Sequence, residues 1–296
     1  MIFSLRHLIM KSLIMGRARD VIGVLLLTSV MSSCAHRSVA TTVGTLPFGT
    51  EVTKIRIEMT NGTLDLATIL DGASPSAVSW EGGIRRDAGS ASDLAKIETV
   101  VIDLSGAMDP EEPGTFVVTC PAAPAGVVGM IAYEGNIRVP ATLPLEIVVT
   151  DNGHVTLDDR DAFTKVKTRR GDLRFQACKG GIVANTGQGN VIAFDHEGDL
   201  DVRTGLGDMQ VFIVKPGKQV TLSTGQGTVQ CHVPKDIEFE VDARAEIGRI
   251  GNDFDIEVRK VGDYSAAMAG IHISPKTRVL LRTASGHISL IRRKDR

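Results

Sequence analysis

Residues 168–207, TRRGDLRFQACKGGIVANTGQGNVIAFDHEGDLDVRTGLG, decide the fold of this chain. The stretch contains the phrase Thr-x-x-Gly three times, with its glycines 18 residues apart. The phrase also occurs on both sides of the stretch, where the steps between glycines are 18, 20 and 59 residues. The six glycines of the phrase are Gly153, Gly171, Gly189, Gly207, Gly227 and Gly286. A fixed period predicts stacked units, and we interpret these glycines as the turns of the repeat.

Each unit is too short for a helical repeat and has the pattern of short strands. Between positions 171 and 207 a glycine recurs every nine residues, and alternating apolar and polar residues fill the intervals. Alternation places the apolar side chains on one face of a strand. Leu173, Val191 and Met209 stand two positions after successive glycines, so we expect them to lie above one another in a common interior. The threonines of the phrase can form hydrogen bonds along the stack.

The sequence therefore predicts an all-β fold in which residues 131–296 form a β-solenoid, a β-helix-like stack of roughly 18-residue rungs. Residues 278–291 are expected to be its last rung. Residues 51–130 are β-rich but irregular, and residues 71–95 have the composition of a loop. This N-terminal part is either a decorated beginning of the solenoid or a separate small β domain.

The first residues have the features of a targeting segment. Four basic residues precede an apolar run over residues 21–31, which is too short to span a bilayer of roughly 30 Å as a helix. Small residues then lead to Cys34, and this pattern resembles a bacterial lipoprotein box. We expect residues 1–33 to be a lipoprotein signal peptide and Cys34 to carry the lipid. The alternative is an ordinary secretory signal cleaved near Ser33, and translation could start at Met10 or Met15.

Residues 34–50 are small and polar without a period, so we expect a tether between the lipid and the body. Without the leader, the chain would carry 29 basic and 34 acidic side chains. This mildly acidic balance gives no reason to expect a nucleic-acid partner. Cys120, Cys178 and Cys231 either include one disulfide or are small apolar residues of the strands.

Candidate chemistry in the chain is sparse. Leu173, Val191 and Met209 stand where calcium β-rolls carry ligating carboxylates, so no metal is expected. Asp199 and Asp201 beside Arg203 have the residue types of a carbohydrate-active site, although along a strand they would form a solvated face. The histidines lack the spacing of a zinc site, and neither a nucleophile elbow nor a phosphate-binding loop occurs. We therefore expect no cofactor and no catalytic residue.

Four stretches repeat a phrase of the form Thr-x-x-Gly-[Asp/Asn/Ser]-[Ile/Val] with variations, at residues 186–191, 198–209, 224–229 and 283–288. They resemble the bacterial "putative adhesin" domain family of unknown function. The resemblance covers roughly residues 130–291, with a further reach back to residue 51. It implies a β-solenoid and supplies no catalytic residues.

These observations favour a lipid-anchored, non-enzymatic protein of the bacterial cell envelope that serves in adhesion, binding or scaffolding. The expected partners are the membrane, through the N-terminal lipid, and an envelope protein or glycan. Ala35 after the cysteine resembles the outer-membrane sorting pattern of enteric bacteria, so we expect the outer membrane, with the body facing the periplasm or the cell surface. The alternative is a carbohydrate-active β-helix, a lyase or a hydrolase, that uses Asp199, Asp201 and Arg203.

Overall fold

The computed structural model describes residues 27–28, 36–69, 76–262, 265–274 and 276–293. These residues form one α-helix and twenty β-strands. Backbone hydrogen bonds between neighbouring strands connect all twenty strands. The helix is α1 (Ala91–Glu98). The strands are β1 (Leu27–Thr28), β2 (His36–Pro47), β3 (Lys54–Ile69), β4 (Ala77–Ala88), β5 (Ser105–Met108), β6 (Thr115–Thr119), β7 (Gly129–Pro140), β8 (Leu145–Asp158), β9 (Thr164–Arg170), β10 (Leu173–Gln176), β11 (Ile182–Gln188), β12 (Val191–Leu206), β13 (Met209–Gln226), β14 (Val229–Pro234), β15 (Phe239–Ile247), β16 (Ile250–Asn252), β17 (Val258–Lys260), β18 (Ala266–His272), β19 (Thr277–Ser285) and β20 (Ile288–Arg293).

Two sheets of mostly parallel strands follow the stack, one on each side of the glycine corner. The strand segments before the glycines, such as β9 and β11, form what we call the pre-glycine sheet. The segments after them form the post-glycine sheet, where Leu173 pairs with Val191 and Val191 pairs with Met209. These three side chains are at most 1% exposed. The predicted stack of apolar side chains is confirmed, and the fold is the expected β-solenoid-like arrangement.

The turns follow one another in space in a different order from the sequence. The second half of β13 pairs with β19, and β19 pairs in turn with β15. Residues 278–291, which the sequence predicts to be the last rung, therefore lie inside the stack. On one side they pair with β13 and β14, and on the other side with β15 and β16, which form the terminal turn. Because both segments carry the same alternation, the sequence period cannot determine which of them lies at the end.

The corner opposite the glycines is built partly from residues other than glycine. Asp159, Ala177 and Asp195 have φ values of 54°, 51° and 51° and are spaced by one repeat. The nine-residue spacing predicts corners at Gly180 and Gly198, and of these Gly198 adopts a positive φ of 108°. The spacing thus located the opposite corner but did not identify the left-handed residues that precede the glycines. Aspartate tolerates this conformation better than most residues, because its short side chain can form local hydrogen bonds.

The N-terminal part continues the solenoid. β3 pairs in parallel with β8 in both sheets, and also with β6 and β7. One cluster of buried side chains extends without a break from Ala40 to Leu290. The strands of residues 51–130 therefore share strand pairing and a buried interior with the repeat.

Two stretches expected to lack regular structure form the N-terminal cap. The expected tether over residues 34–50 contains β2, which pairs antiparallel with β4 along all twelve residues. The loop-like stretch 71–95 contains β4 and the start of α1, which lies against β4 and β7. Strand pairing and helix packing are tertiary interactions, and here they outweigh a local composition rich in glycine and serine.

The three cysteines of the described chain fill the interior. Cys120, Cys178 and Cys231 are at most 4% exposed, and none forms a disulfide. Burial raises the pKa of the Cys120 and Cys231 thiols to about 12. They therefore behave as small apolar residues, because the thiolate form required for redox chemistry is disfavoured.

Candidate functional site

The glycine corner brings successive turns into close backbone contact. At Gly189 the φ angle is +152°, and a Cβ atom would lie 2.0 Å from the carbonyl oxygen of Gly171. Only glycine fits such a position, because an L side chain would be strained and would clash with backbone. The corner glycines with positive φ are Gly62, Gly171, Gly189, Gly207, Gly227, Gly248 and Gly286. Gly153, also predicted as a turn of the repeat, lies in this column without a positive φ, whereas Gly62 and Gly248 join the column without being part of the Thr-x-x-Gly phrase.

The threonines of the repeat bind the glycine of the preceding turn. Thr204 is buried, and its hydroxyl lies 3.1 Å from the Gly189 carbonyl oxygen, to which it can donate. The same contact recurs at Thr168, Thr186, Thr224 and Thr283. The predicted threonine ladder therefore bonds to backbone rather than from threonine to threonine. Thr150 is exposed, and Val149 pairs with Thr168 in its place.

A ladder of hydrogen-bond acceptors follows the glycine corner. After Gly153, Gly171, Gly189, Gly207 and Gly286, the side chain of the next residue accepts the backbone N–H of the equivalent residue in the next turn. Asp172 Oδ1 accepts from Asn190 at 2.7 Å, and Asn190 Oδ1 accepts from Asp208 at 2.9 Å. His154, Asp208 and His287 make the same contact with Asp172, Thr228 and Arg249. We call this series the acceptor ladder, and it gives the repeat's Asp and Asn a structural reason.

A groove of about 700 Å³ lies along the N-terminal half of this corner. Its lining includes the corner glycines from Gly62 to Gly189, of which Gly153 is buried and the others are half-buried. Charged and amide side chains also line it, including Asn61, Asn152 and Arg170. Arg85 and Glu134, which form an ion pair on neighbouring strands β4 and β7, belong to the same lining. We call this the glycine-edge groove.

The glycine-edge groove offers both hydrogen-bond donors and acceptors to solvent. The His154 and Asp172 side chains are 59% and 53% exposed, with His154 Nδ1 3.6 Å from Asp172 Oδ2. Because His154 Nδ1 accepts a backbone N–H, the neutral ring carries its proton on Nε2 and can donate there. Arg170 is held by Asp151 at 2.8 Å. Such a surface suits an extended, polar ligand rich in hydroxyl or amide groups.

The acidic pair considered for catalysis has other partners. Asp199 Oδ1 accepts the backbone N–H groups of Lys218 and Gln219 at 2.6 and 3.0 Å, which closes the turn of the next rung. Both carboxylate oxygens of Asp201 accept from the Arg203 guanidinium at 3.1 Å. The structure therefore places Asp199 in a backbone turn and Asp201 in a surface ion pair, and it does not bring the two together at one reacting position.

Three rings stack on the outer face of the post-glycine sheet. The ring centroids of Phe194 and Phe212 are 5.0 Å apart, and those of Phe212 and His232 are 4.1 Å apart, with nearly parallel planes. Rings that stack on one another use their faces internally. A sugar ring packs against the face of an aromatic ring, and both faces of the central ring, Phe212, are covered by its neighbours in this stack.

No group of three His, Cys, Asp or Glu side chains that could hold a metal ion occurs in the part of the chain that the structure describes. His196 is fully buried, and burial lowers its pKa, so it is a neutral structural residue of the corner opposite the glycines. Cys34, the expected lipidation site, lies outside the described residues. In the described segments, none of the helical structure is long and apolar enough to cross a bilayer.

Comparison with known proteins gives one family match and several structural similarities. The Toastrack DUF4097 family matches residues 117–291. A "putative cell adhesion protein" from Clostridium sporogenes has a TM-score of 0.34 and 14% identity, over 88% of this chain and all of the other. A "putative adhesin" from Bacteroides fragilis has a TM-score of 0.30 and 11% identity, over 85% and 96% of the two chains.

A third structure, a "putative adhesin" from Parabacteroides merdae, has a TM-score of 0.27 and 8% identity, over 86% and 96% of the two chains. Among curated proteins, none matches the chain. The family match includes the corner glycines with positive φ from Gly171 to Gly286 and most of both sheets. The match spans more than half of the sequence, and the chain belongs to the Toastrack DUF4097 family.

Proposed function

We propose that this protein is a non-enzymatic, adhesion-type binding protein of the bacterial cell envelope, and that its glycine-edge groove binds an extended envelope glycan. The observation that carries the proposal is the groove itself. It combines the exposed polar side chains of His154 and Asp172 with the repeating glycine corner, whereas the acidic residues considered for catalysis are engaged elsewhere.

The ligand class follows from the chemistry of the groove. Its walls carry both signs of charge and several amides, so it matches a polymer of hydroxyl and amide groups better than a polyanion. A repeat along the corner also matches a polymer with its own repeat. Most of the lining, including His154 and Asp172, belongs to the segment that matches the family, so the groove is built on the repeat that defines the domain.

Binding would be tested with the purified full chain on an array of peptidoglycan fragments, polyuronates and outer-membrane polysaccharides. His154→Asn and Asp172→Asn keep an acceptor at the ladder position, as Asn190 does, but change the groove chemistry. We expect the double variant to bind about fivefold to thirtyfold more weakly, because each lost polar contact contributes about 1 kcal/mol and one or both contacts are lost. Asp208→Asn is the matched control, since it occupies the same ladder position outside the groove.

Equal affinity of the double variant and the Asp208→Asn control for the glycan would show that the glycine-edge groove is not the binding site. Release of shorter glycans by the wild-type protein would overturn the non-enzymatic assignment. If such release occurred, Asp201→Asn would show whether the surface acid has a catalytic role.

The proposed anchor is a lipid on Cys34 that holds the body at the outer membrane. The apolar segment and the small residues before the cysteine support it. Expression of the full chain with a palmitate analogue should label the wild-type protein and leave Cys34→Ser unlabelled. Labelling of both proteins, or of neither, would count against lipidation at this residue.

A further inference from the structure

β2 forms an unusually long and uncharged edge at the N-terminal end of the stack. One side of the strand pairs with β4 along its whole length. On the other side, within the described residues, only Leu27–Thr28 pairs with it, at Val39 and Ala40. Residues 38–46 contain no charged side chain and no proline. A long strand edge of this composition is a template for another strand.

The two faces of β2 differ. Ser38, Ala40 and Thr42 point inward and are at most 3% exposed. Val39 and Val43 point outward and are 43% and 46% exposed. β-branched residues on the outer face of an open edge lose cross-strand neighbours that a partner strand would supply.

The opposite end of the stack is protected. Among the described residues, its edge strands are β16 and β17, which have three residues each, and β17 is exposed and carries Arg259 and Lys260. Short strands and positive charges are the usual means of preventing edge pairing. Head-to-tail stacking of copies, which would join the two ends into a fibre, is therefore disfavoured. Pairing of β2 with β2 instead gives a closed, two-fold arrangement.

We propose that the β2 edge pairs with β2 of a second copy in antiparallel orientation, with Thr41 on the two-fold axis. This register places Val39 of each copy opposite Val43 of the other, which creates two cross-strand valine pairs on the outer face. It also places Arg37 opposite Thr45, so the two Arg37 side chains do not face each other. The inward residues of one copy then face inward residues of the other, as a continuous sheet requires.

The leader segment competes for part of this edge. β1 occupies two of the twelve β2 positions, and a full-length partner strand forms more hydrogen bonds than β1 does. The inference rests on one part of the proposed function, the removal of residues 1–33 as a signal peptide, because this removal would free Val39 and Ala40. Mass spectrometry of the N-terminus reports that processing separately from the pairing.

The test uses the full chain with Thr41→Cys or Thr45→Cys, purified and oxidised with a mild copper oxidant that removes the two thiol protons and electrons. Both side chains are exposed on the same face of β2. In the proposed register the two thiols introduced at position 41 meet, whereas those introduced at position 45 lie about 27 Å apart, at about 3.4 Å per residue. We expect a disulfide-linked dimer from Thr41→Cys and at least tenfold less from Thr45→Cys. Cys120, Cys178 and Cys231 are buried in the wild-type fold and so stay out of the reaction, and both variants also carry Cys34→Ser so that the introduced thiol is the reactive one.

Analytical ultracentrifugation of the unoxidised protein supplies the second readout. The wild-type mass should be that of a dimer, and Val43→Lys, which changes an exposed side chain, should halve it. Far-UV circular dichroism checks that this variant is folded. A monomeric wild-type protein, or equal cross-linking at positions 41 and 45, would overturn the inference whether or not the leader has been removed.

Discussion

At the scale of single residues, the repeat phrase is explained by three contacts between adjacent turns. The glycine permits backbone contact, the threonine donates to the glycine carbonyl of the preceding turn, and the residue after the glycine accepts a backbone N–H. Each contact involves backbone of the neighbouring turn, so each is repeated only if the turns are in register. The Thr-x-x-Gly phrase is therefore explained by the stacking of turns and not by a reaction on a substrate.

Gly189→Ala should lower the free energy of unfolding by about 2–4 kcal/mol, because a Cβ would meet the Gly171 carbonyl oxygen at 2.0 Å with φ positive. Gly251→Ala is the matched control, since no atom lies within 4 Å of its added Cβ. We expect that control to change stability by no more than about 0.5 kcal/mol. Urea unfolding followed by circular dichroism measures both, and equal effects would show that the corner tolerates a side chain.

Asp199→Ala should lower the free energy of unfolding by about 1–2 kcal/mol, because two backbone N–H groups lose a charged acceptor. Asp201→Ala should change it by at most about 0.5 kcal/mol, because its partner Arg203 is exposed. Thermal and urea unfolding of the two variants test this difference. A larger effect at Asp201 than at Asp199 would contradict the assigned roles.

At the scale of elements, strands are joined on their outer faces by ladders of side chains. Glu146 on β8 lies between Lys54 on β3 and Lys165 on β9, at 2.7 and 2.8 Å. Burial by itself would raise the pKa of Glu146, but hydrogen bonds from Lys165 and Lys54 and their charges outweigh it and lower the pKa to about 2. This carboxylate links three adjacent strands in the N-terminal half of the pre-glycine sheet.

The pKa of Glu146 predicts a specific pH dependence. Since its folded-state pKa lies below the ordinary value of 4.5, the ion pairs stabilise the fold fully above about pH 5, and this contribution is lost as the pH falls toward 2. Glu146→Gln should be about 1–3 kcal/mol less stable than wild type at pH 7 and nearly equal to it near pH 2. Urea unfolding across this range tests the prediction, and a difference independent of pH would refute it.

At the scale of the whole molecule, a single interior connects the N-terminal cap to the last turns. Trp80, the only tryptophan, is 3% exposed in the cap and donates through Nε1 to the Thr42 hydroxyl at 2.9 Å. Far-UV circular dichroism, in contrast, reports the strands of all turns. Because β7 pairs with β4 of the cap and with β3, and β3 pairs with β8 of the repeat, we expect the two regions to unfold together.

The urea transition followed by Trp80 fluorescence should therefore coincide with the transition followed by circular dichroism. Stacked repeats have mainly nearest-neighbour contacts, so loss of cooperativity is the outcome that would count against a single folding unit. A Trp80 transition at clearly lower urea would show that the cap opens independently.

The sequence by itself determined the repeat, the corner glycines Gly171, Gly189, Gly207, Gly227 and Gly286, and the inward apolar residues. The period of 18 residues and the alternation are local properties, and they fix which side chains point inward once strands stack. The family resemblance also depended only on these residues. The repeated Asp or Asn after glycine, as at Asp172 and Asn190, is visible in the sequence. Its role as a hydrogen-bond acceptor is not, because the N–H that it accepts lies a full turn away.

Only the tertiary structure decided the order of the turns, the nature of the N-terminal cap and the groove. The period cannot distinguish β15 from β19 as the terminal turn, because both present the same pattern to their neighbours. β2 and β4 gain their structure from pairing with each other across thirty residues or more, which local composition does not encode. The groove exists because β4 and β7 lie beside the glycine corner, and that proximity arises from long-range strand pairing rather than from the repeat.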